Sequence, residues 1–306
     1  MRARPSGGGG PAKPRRRRAL REARLGYALI APSLALFGLV YLYPVAYSAW
    51  VSVFSWDLMT PARYVGLDNY RELWSVEFWE VITNTAKYSV GVVVLSQAAG
   101  LVLAVLLNNR TRLGALFQAS IFSSYVVSWV AVSLLWIWML DPQYGLVTYL
   151  LRLVRLPAVN WLGDHRLAIW SLVLVTVWKT VGYPMVIYVA GLQAIPGDIY
   201  EAAALDGASG WNRFRHITWP LLTPTTLFLL VTLTIASFQG FDIVKIMTQG
   251  GPVTSTMIYV YYIYEQAFQY FKLGKASAAV VVFFVLILAL TVAQWAFFRR
   301  RLHYTA

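Results

Sequence analysis

Cysteine is absent from all 306 residues, which excludes a disulfide framework, a thiolate zinc site and thiol chemistry. Histidine is almost as scarce: His165, His216 and His303 are scattered and make no metal-ligand spacing, so neither a metal nor a cofactor is implied. Charge is sparse too. Only 13% of residues are charged, against about 25% in soluble domains, which removes an ordinary water-soluble fold from consideration. No Gly-x-x-x-x-Gly-Lys-Ser/Thr segment occurs, and Gly274-Lys275 lacks both the upstream Gly and the hydroxyl residue. The chain therefore carries no phosphate loop with which to hydrolyse ATP itself. Acidic residues do not gather within any long apolar run, which argues against proton-coupled transport and against an intramembrane hydrolase.

What is present is apolar. Hydrophobic residues make up 58% of the chain, with 13 Trp and 19 Tyr of the kind that collect at membrane interfaces. A helix crossing the hydrocarbon layer needs ~20 mostly apolar residues. Six stretches qualify, near Leu25–Val53, Ser89–Leu107, Phe117–Leu140, Leu167–Leu192, Leu221–Phe241 and Lys275–Phe298. These predict an all-α integral membrane protein with about six transmembrane helices. Leu146–Leu156 is apolar but too short to span and reads as an interfacial helix. Residues 1–24, rich in Gly, Pro and Arg, read as a disordered basic cytoplasmic tail. Residues 25–301 form the membrane domain, and 302–306 a short C-terminal tail. The first apolar stretch is too long for a signal-peptide core and lacks a cleavage site, so it reads as a retained anchor.

Net charge is +13, and its placement reads as membrane topology rather than nucleic-acid binding. With the N-terminus in the cytoplasm, the inner segments hold the nine basic residues before Leu25, Arg110, Arg112, Arg213, Arg215 and Arg299–Arg301, sixteen in all. The outer loops hold Arg63, Arg71, Arg152, Arg155, Arg166, Lys245, Lys272 and Lys275, eight offset by nine acids. An even number of crossings then places both termini inside.

That topology puts the loop 193–220 in the cytoplasm. Asp198 is positioned to cap a short helix with Glu201 three residues on, and the three alanines after Glu201 favour helix. Gly207 suits the left-handed turn that ends it. Ser209 can cap a second helix, with Trp211, Phe214 and Ile217 at intervals of three. Read locally, this is an amphipathic hairpin resting on the membrane. Its spacing carries more: Glu201-Ala202-Ala203, Gly207 six after the Glu, Ile217 ten further and Pro220 three beyond, with Asp206, Ala208 and Phe214 agreeing. This pattern resembles the EAA motif of bacterial ABC importer permeases. Leu192–Pro196, Gly250–Thr256, Tyr43-Pro44 and Gly66–Tyr70 resemble the carbohydrate branch of that family, the maltose- and glycerol-phosphate-type permeases. Trp219 departs from the Leu usual there.

The resemblance implies a type I ABC importer transmembrane domain in the bacterial cell membrane. It implies a second homologous permease, an ATPase dimer and an extracytoplasmic solute-binding protein as partners, with sugar as solute and no nucleic acid. Glu201, Ala202, Ala203, Asp206, Gly207, Ile217 and Pro220 would couple the chain to the ATPase. For the solute pathway, polar groups at mid-membrane depth are the candidates, because they are costly there unless they face a cavity. These are Thr176, Lys179, Thr180 and Tyr183 on the fourth span, with Thr176, Thr180 and Tyr183 on one face, and Thr234, Ser237 and Gln239 on the fifth. Interhelical hydrogen bonding is the competing role for each Ser and Thr. Lys179 either lines the pathway or pairs with an acid on the partner permease, while Lys87 reads as snorkelling. A glycerol-3-phosphate-type permease and an ion-coupled secondary transporter stand as alternatives.

Overall fold

The computed structural model describes residues 14–108 and 111–299. Residues 1–13 of the basic tail, Arg110, Arg300, Arg301 and the tail 302–306 lie outside them. α1 (Pro14–Phe37) runs through a π-helical turn (Gly38–Leu42) into α2 (Tyr43–Val51). The part of the tail from Pro14 onward is thus helical rather than disordered. Arg, Ala, Leu and Glu are strong helix formers, and Pro14 suits the first turn.

A two-residue hairpin follows, β1 (Phe54–Ser55) paired antiparallel with β2 (Arg63–Tyr64), then α3 (Asp68–Leu73). α4 (Val76–Leu107) is the second span. It begins well before the apolar window at Ser89, because Ser75 caps it: its Oγ accepts from the Phe78 N–H at 3.3 Å. Hydropathy locates the buried part of a helix, not its polar first turns.

The next three spans are all bent. α5 (Arg112–Val126) and α6 (Trp129–Met139) meet at 99°, α8 (Ala168–Thr180) and α9 (Gly182–Gln193) at 47°. Between these pairs lies α7 (Leu146–Leu153), the short helix expected from Leu146–Leu156. The turn before it is tied by Asp141, whose carboxylate accepts from the N–H groups of Tyr144 and Gln143 and is held below the usual carboxylate range. α10 (Gly197–Leu205) and α11 (Gly210–Arg213) form the hairpin of the 193–220 loop, and a second π-turn (Phe214–Thr218) leads through α12 (Trp219–Leu221) into α13 (Thr223–Ser237). Gly210–Leu221 and α13 meet at 61°. α14 (Phe241–Met247), α15 (Tyr259–Tyr264) and a third π-turn (Glu265–Gln269) precede the final span, α16 (Leu273–Arg299). Three unbroken helices and three bent pairs make six candidate spans.

Two buried clusters hold the bundle together. One joins Phe78, Tyr88, Trp136, Leu172, Ile243 and the aromatic run at Tyr259, Tyr261 and Tyr262. The other joins Val93, Met185, Tyr188, Leu222, Leu229 and Leu233. The Tyr259–Tyr264 run is therefore mainly packing, with Tyr259 stacked on Phe283 at 4.7 Å. The first span, Ala23–Val51, has none of its apolar window buried within the chain.

Candidate solute pathway and coupling surface

The bends converge. α5 ends at Val126 and α6 starts at Trp129, leaving the last carbonyls of α5 without intrahelical partners. Lys179, only 3% exposed on α8, supplies donors: its Nζ reaches the Tyr125 carbonyl at 2.9 Å and the Ser124 carbonyl at 3.4 Å. In return the Ser124 hydroxyl donates to the Lys179 carbonyl at 3.1 Å. The ammonium also lies 4.6 Å from the Trp129 ring centroid and 5.7 Å from that of Tyr125. A cation at a helix C-terminus complements the partial negative charge there, and aromatic faces add to it.

Beside this tie lies a cavity of about 660 Å³ lined from α4, α5, α6, α8, the end of α13 and the start of α14. Thr176, Lys179, Thr180, Ser237 and Gln239 all line it, which brings together five of the seven pathway residues named from sequence. Tyr88 bonds Thr176 across the gap between α4 and α8 (Oη to Oγ1, 2.9 Å). Thr180 donates to the Thr176 carbonyl at 2.7 Å and Ser237 to the Thr234 carbonyl at 2.7 Å, so each hydroxyl oxygen keeps accepting capacity.

Two of the seven fall elsewhere. Tyr183 does not line the cavity, because the 47° bend after Thr180 breaks the helical register that put it on the face of Thr176 and Thr180. It stacks on Tyr125 instead, with centroids 5.5 Å apart. Thr234 turns toward α16, where Gln294 Nε2 donates to its hydroxyl at 3.0 Å beside a separate apolar cavity. Sequence reasoning missed Tyr88, Tyr125, Trp129 and Asp242, which also line the main cavity. Asp242 had one legible signal, an acid directly after an apolar run. The others are ordinary aromatics within apolar stretches.

At the other end of the bundle stands the hairpin of α10 and α11. Ala203 is buried, while Glu201, Ala202, Asp206 and Gly207 are exposed. Gly207 ends α10 with φ +73°, the left-handed turn expected of it. Asp198 is not the cap: the helix starts at Gly197, after Pro196 in extended conformation. Asp198 falls in the first turn, where its charge faces the helix N-terminus. Ser209 does cap α11, accepting from the Asn212 N–H at 3.4 Å. Tyr200 and Thr218 bond across the hairpin at 2.9 Å, Ile217 is half-buried, and Pro220 is exposed on the helix entering the fifth span.

Bent membrane helices whose breaks border a cavity carrying hydroxyl and amide groups, with a hairpin of small residues in the 193–220 loop, fit a transport permease. The chain belongs to the family of binding-protein-dependent transport system inner membrane components, whose model matches residues 97–303. It is 36% identical over 277 residues to the trehalose/maltose transport system permease protein MalF of Thermococcus litoralis, covering 89% of this chain and 92% of that one. It is 34% identical over 285 residues to the sn-glycerol-3-phosphate transport system permease protein UgpA of Agrobacterium fabrum, covering 92% and 96%. A chain of a bacterial ABC transporter that imports the acidic polysaccharide alginate superposes with TM-score 0.81 at 23% identity, covering 95% of this chain and all of that one. A second, from the alginate transporter in complex with its pentasaccharide-bound periplasmic protein, gives 0.80 at 24%, covering 92% and 96%. The fold is that of a type I ABC importer transmembrane domain.

Proposed function

We propose that this permease carries an uncharged sugar, together with a second homologous permease, an ATPase dimer and an extracytoplasmic binding protein. The observation that carries the reading is the cavity at the helix breaks. It offers hydroxyl and amide groups at Thr176, Thr180, Ser237 and Gln239, and aromatic rings at Tyr125 and Trp129. Sugar recognition needs that pairing of hydroxyl-matching groups and apolar ring faces. Glu201, Ala202, Asp206 and Gly207 present the docking surface to the ATPase, with Ala203 buried beneath them and both termini on the same, cytoplasmic, side. Ile217 and Pro220 transmit its movement into the fifth span, so that ATPase closure rocks the bundle between inward- and outward-facing states.

A glycerol-phosphate substrate is the second reading, favoured by Lys179 in the cavity wall. Two features weigh against it: Lys179 is already held by two carbonyls and an indole ring, and Asp242 lines the same cavity. Uptake into vesicles containing the complete transporter separates the two. Competition by a neutral disaccharide and not by sn-glycerol-3-phosphate supports the proposal, and the reverse order rejects it.

A further inference from the structure

Away from the solute cavity, α4 and α8 border a groove closed on one side by the loop Pro252–Ser255. On the face opposite the coupling hairpin lies a cavity of about 680 Å³, its wall including Trp79, Glu80, Lys87, His165, Arg166 and Trp170. The two permanent cations come from different elements, Lys87 from the second turn-pair of α4 and Arg166 from the loop entering α8. Among the described residues neither forms an ion pair. The acid on the rim, Glu80, is engaged by the Thr254 hydroxyl at 2.8 Å, and His165 faces Asp164 at 4.0 Å.

Below Lys87 the groove becomes apolar. α4 and α8 meet at Gly91, which faces Trp170 and Val173. Further along the two helices Val90 and Val94 are exposed on one, where they also border the apolar cavity shared with α13 and α16, and Leu174 on the other. Trp79 and Trp170, about half exposed, flank the change from charged to apolar. Cations and indoles at one level, with an uncovered hydrocarbon strip beneath, match an amphiphile standing in the bilayer. A free anion would have no use for the strip, and a water-borne protein could not reach it.

We propose that this groove seats an anionic phospholipid of the outer leaflet, its phosphate between Lys87 and Arg166 and its acyl chains along Val90, Val94 and Leu174. The test uses the purified transporter with its partner subunits, delipidated in neutral detergent. Native mass spectrometry then follows titration with phosphatidylglycerol, phosphatidylcholine or inorganic phosphate. Phosphatidylglycerol is expected to bind in preference to phosphatidylcholine, and K87Q/R166Q to weaken it roughly 30-fold, from about one surface-cation contribution at each position. The charge-keeping pair K87R/R166K retains binding, which distinguishes a lost contact from a misfolded chain, and R152Q, elsewhere on the outer face, leaves it unchanged. Phosphatidylglycerol binding unaffected by K87Q/R166Q overturns the proposal. So does equal competition by inorganic phosphate, which would mark a free-anion site, or exclusion of the lipid from the assembled complex, which would mean that a partner subunit covers the groove.

Discussion

Lys179 illustrates how one residue can satisfy a membrane helix that stops short. A lysine ammonium in a hydrocarbon setting is costly, yet here it receives two carbonyl acceptors and an indole face, and in turn caps the end of α5. K179M leaves the Ser124 and Tyr125 carbonyls without that donor, a loss of about 1–3 kcal/mol. It should lower the thermal unfolding midpoint of the detergent-solubilised protein, and K179Q, with one amide donor left, should lower it less. A K179M midpoint equal to that of the parent would show that the tie contributes nothing. Gly207 is constrained differently. A Cβ there would meet nothing within 4 Å, so the demand is on the backbone at φ +73° and not on space within the chain. Proline, locked near φ −65°, cannot hold that turn. G207P should reduce the solute carried per ATP hydrolysed in reconstituted vesicles, and an unchanged ratio would remove Gly207 from the coupling machinery.

At the scale of elements, the bends are locked to one another by close backbone approach. A Cβ on Gly182, at the start of α9, would lie 2.7 Å from the Phe122 Cα and 2.9 Å from the Ile121 carbonyl oxygen of α5. Backbone atoms of a packed helix yield little, so G182A should destabilise by about 1–3 kcal/mol. Gly197, in the first turn of α10, has open space around it, and G197A should be neutral or stabilising by up to about 1 kcal/mol. Thermal unfolding of the two variants side by side reads the difference. Comparable midpoints would mean that spans three and four are not held against each other at this point.

For the whole molecule, the absence of cysteine makes the membrane orientation directly testable, since any introduced thiol is unique. Asp57, half-buried, lies in the hairpin after the first span, and Asp206, exposed, in the hairpin of α10 and α11. A membrane-impermeant maleimide should label D57C in intact cells and D206C only after permeabilisation. The opposite pattern would invert the topology and detach the 193–220 loop from any cytoplasmic ATPase. The uncovered first span and the open wall of the main cavity also fit a chain that completes its pathway with a second permease. Vesicles holding this chain with the ATPase alone should take up no solute, and adding the second permease should restore uptake.

Much of this was legible in the sequence because the bilayer imposes strong rules on it. Apolar runs of span length located six candidate spans, and the spacing from Glu201 to Pro220 pointed by resemblance to the family that the match over residues 97–303 shows. Gly207 was readable because a left-handed turn favours glycine. The bend at Val127-Ser128 was not readable because no proline or glycine marks it, and Gly182 and Pro184 beside Val181 lie within one continuous apolar window. Only packing between α5 and α8 decides where those helices stop. The first turns of α4 are hidden by their own polarity, and Tyr183 leaves the face of Thr176 and Thr180 through the 47° bend, which local spacing does not reveal. Lys179 was visible as an anomaly, but its partners lie 54 and 55 positions earlier in the chain. Local sequence determined the apolar spans, the membrane setting and the hairpin of the 193–220 loop. Tertiary structure decided the cavity, because its wall joins residues from six helices that come together only once the bundle is packed.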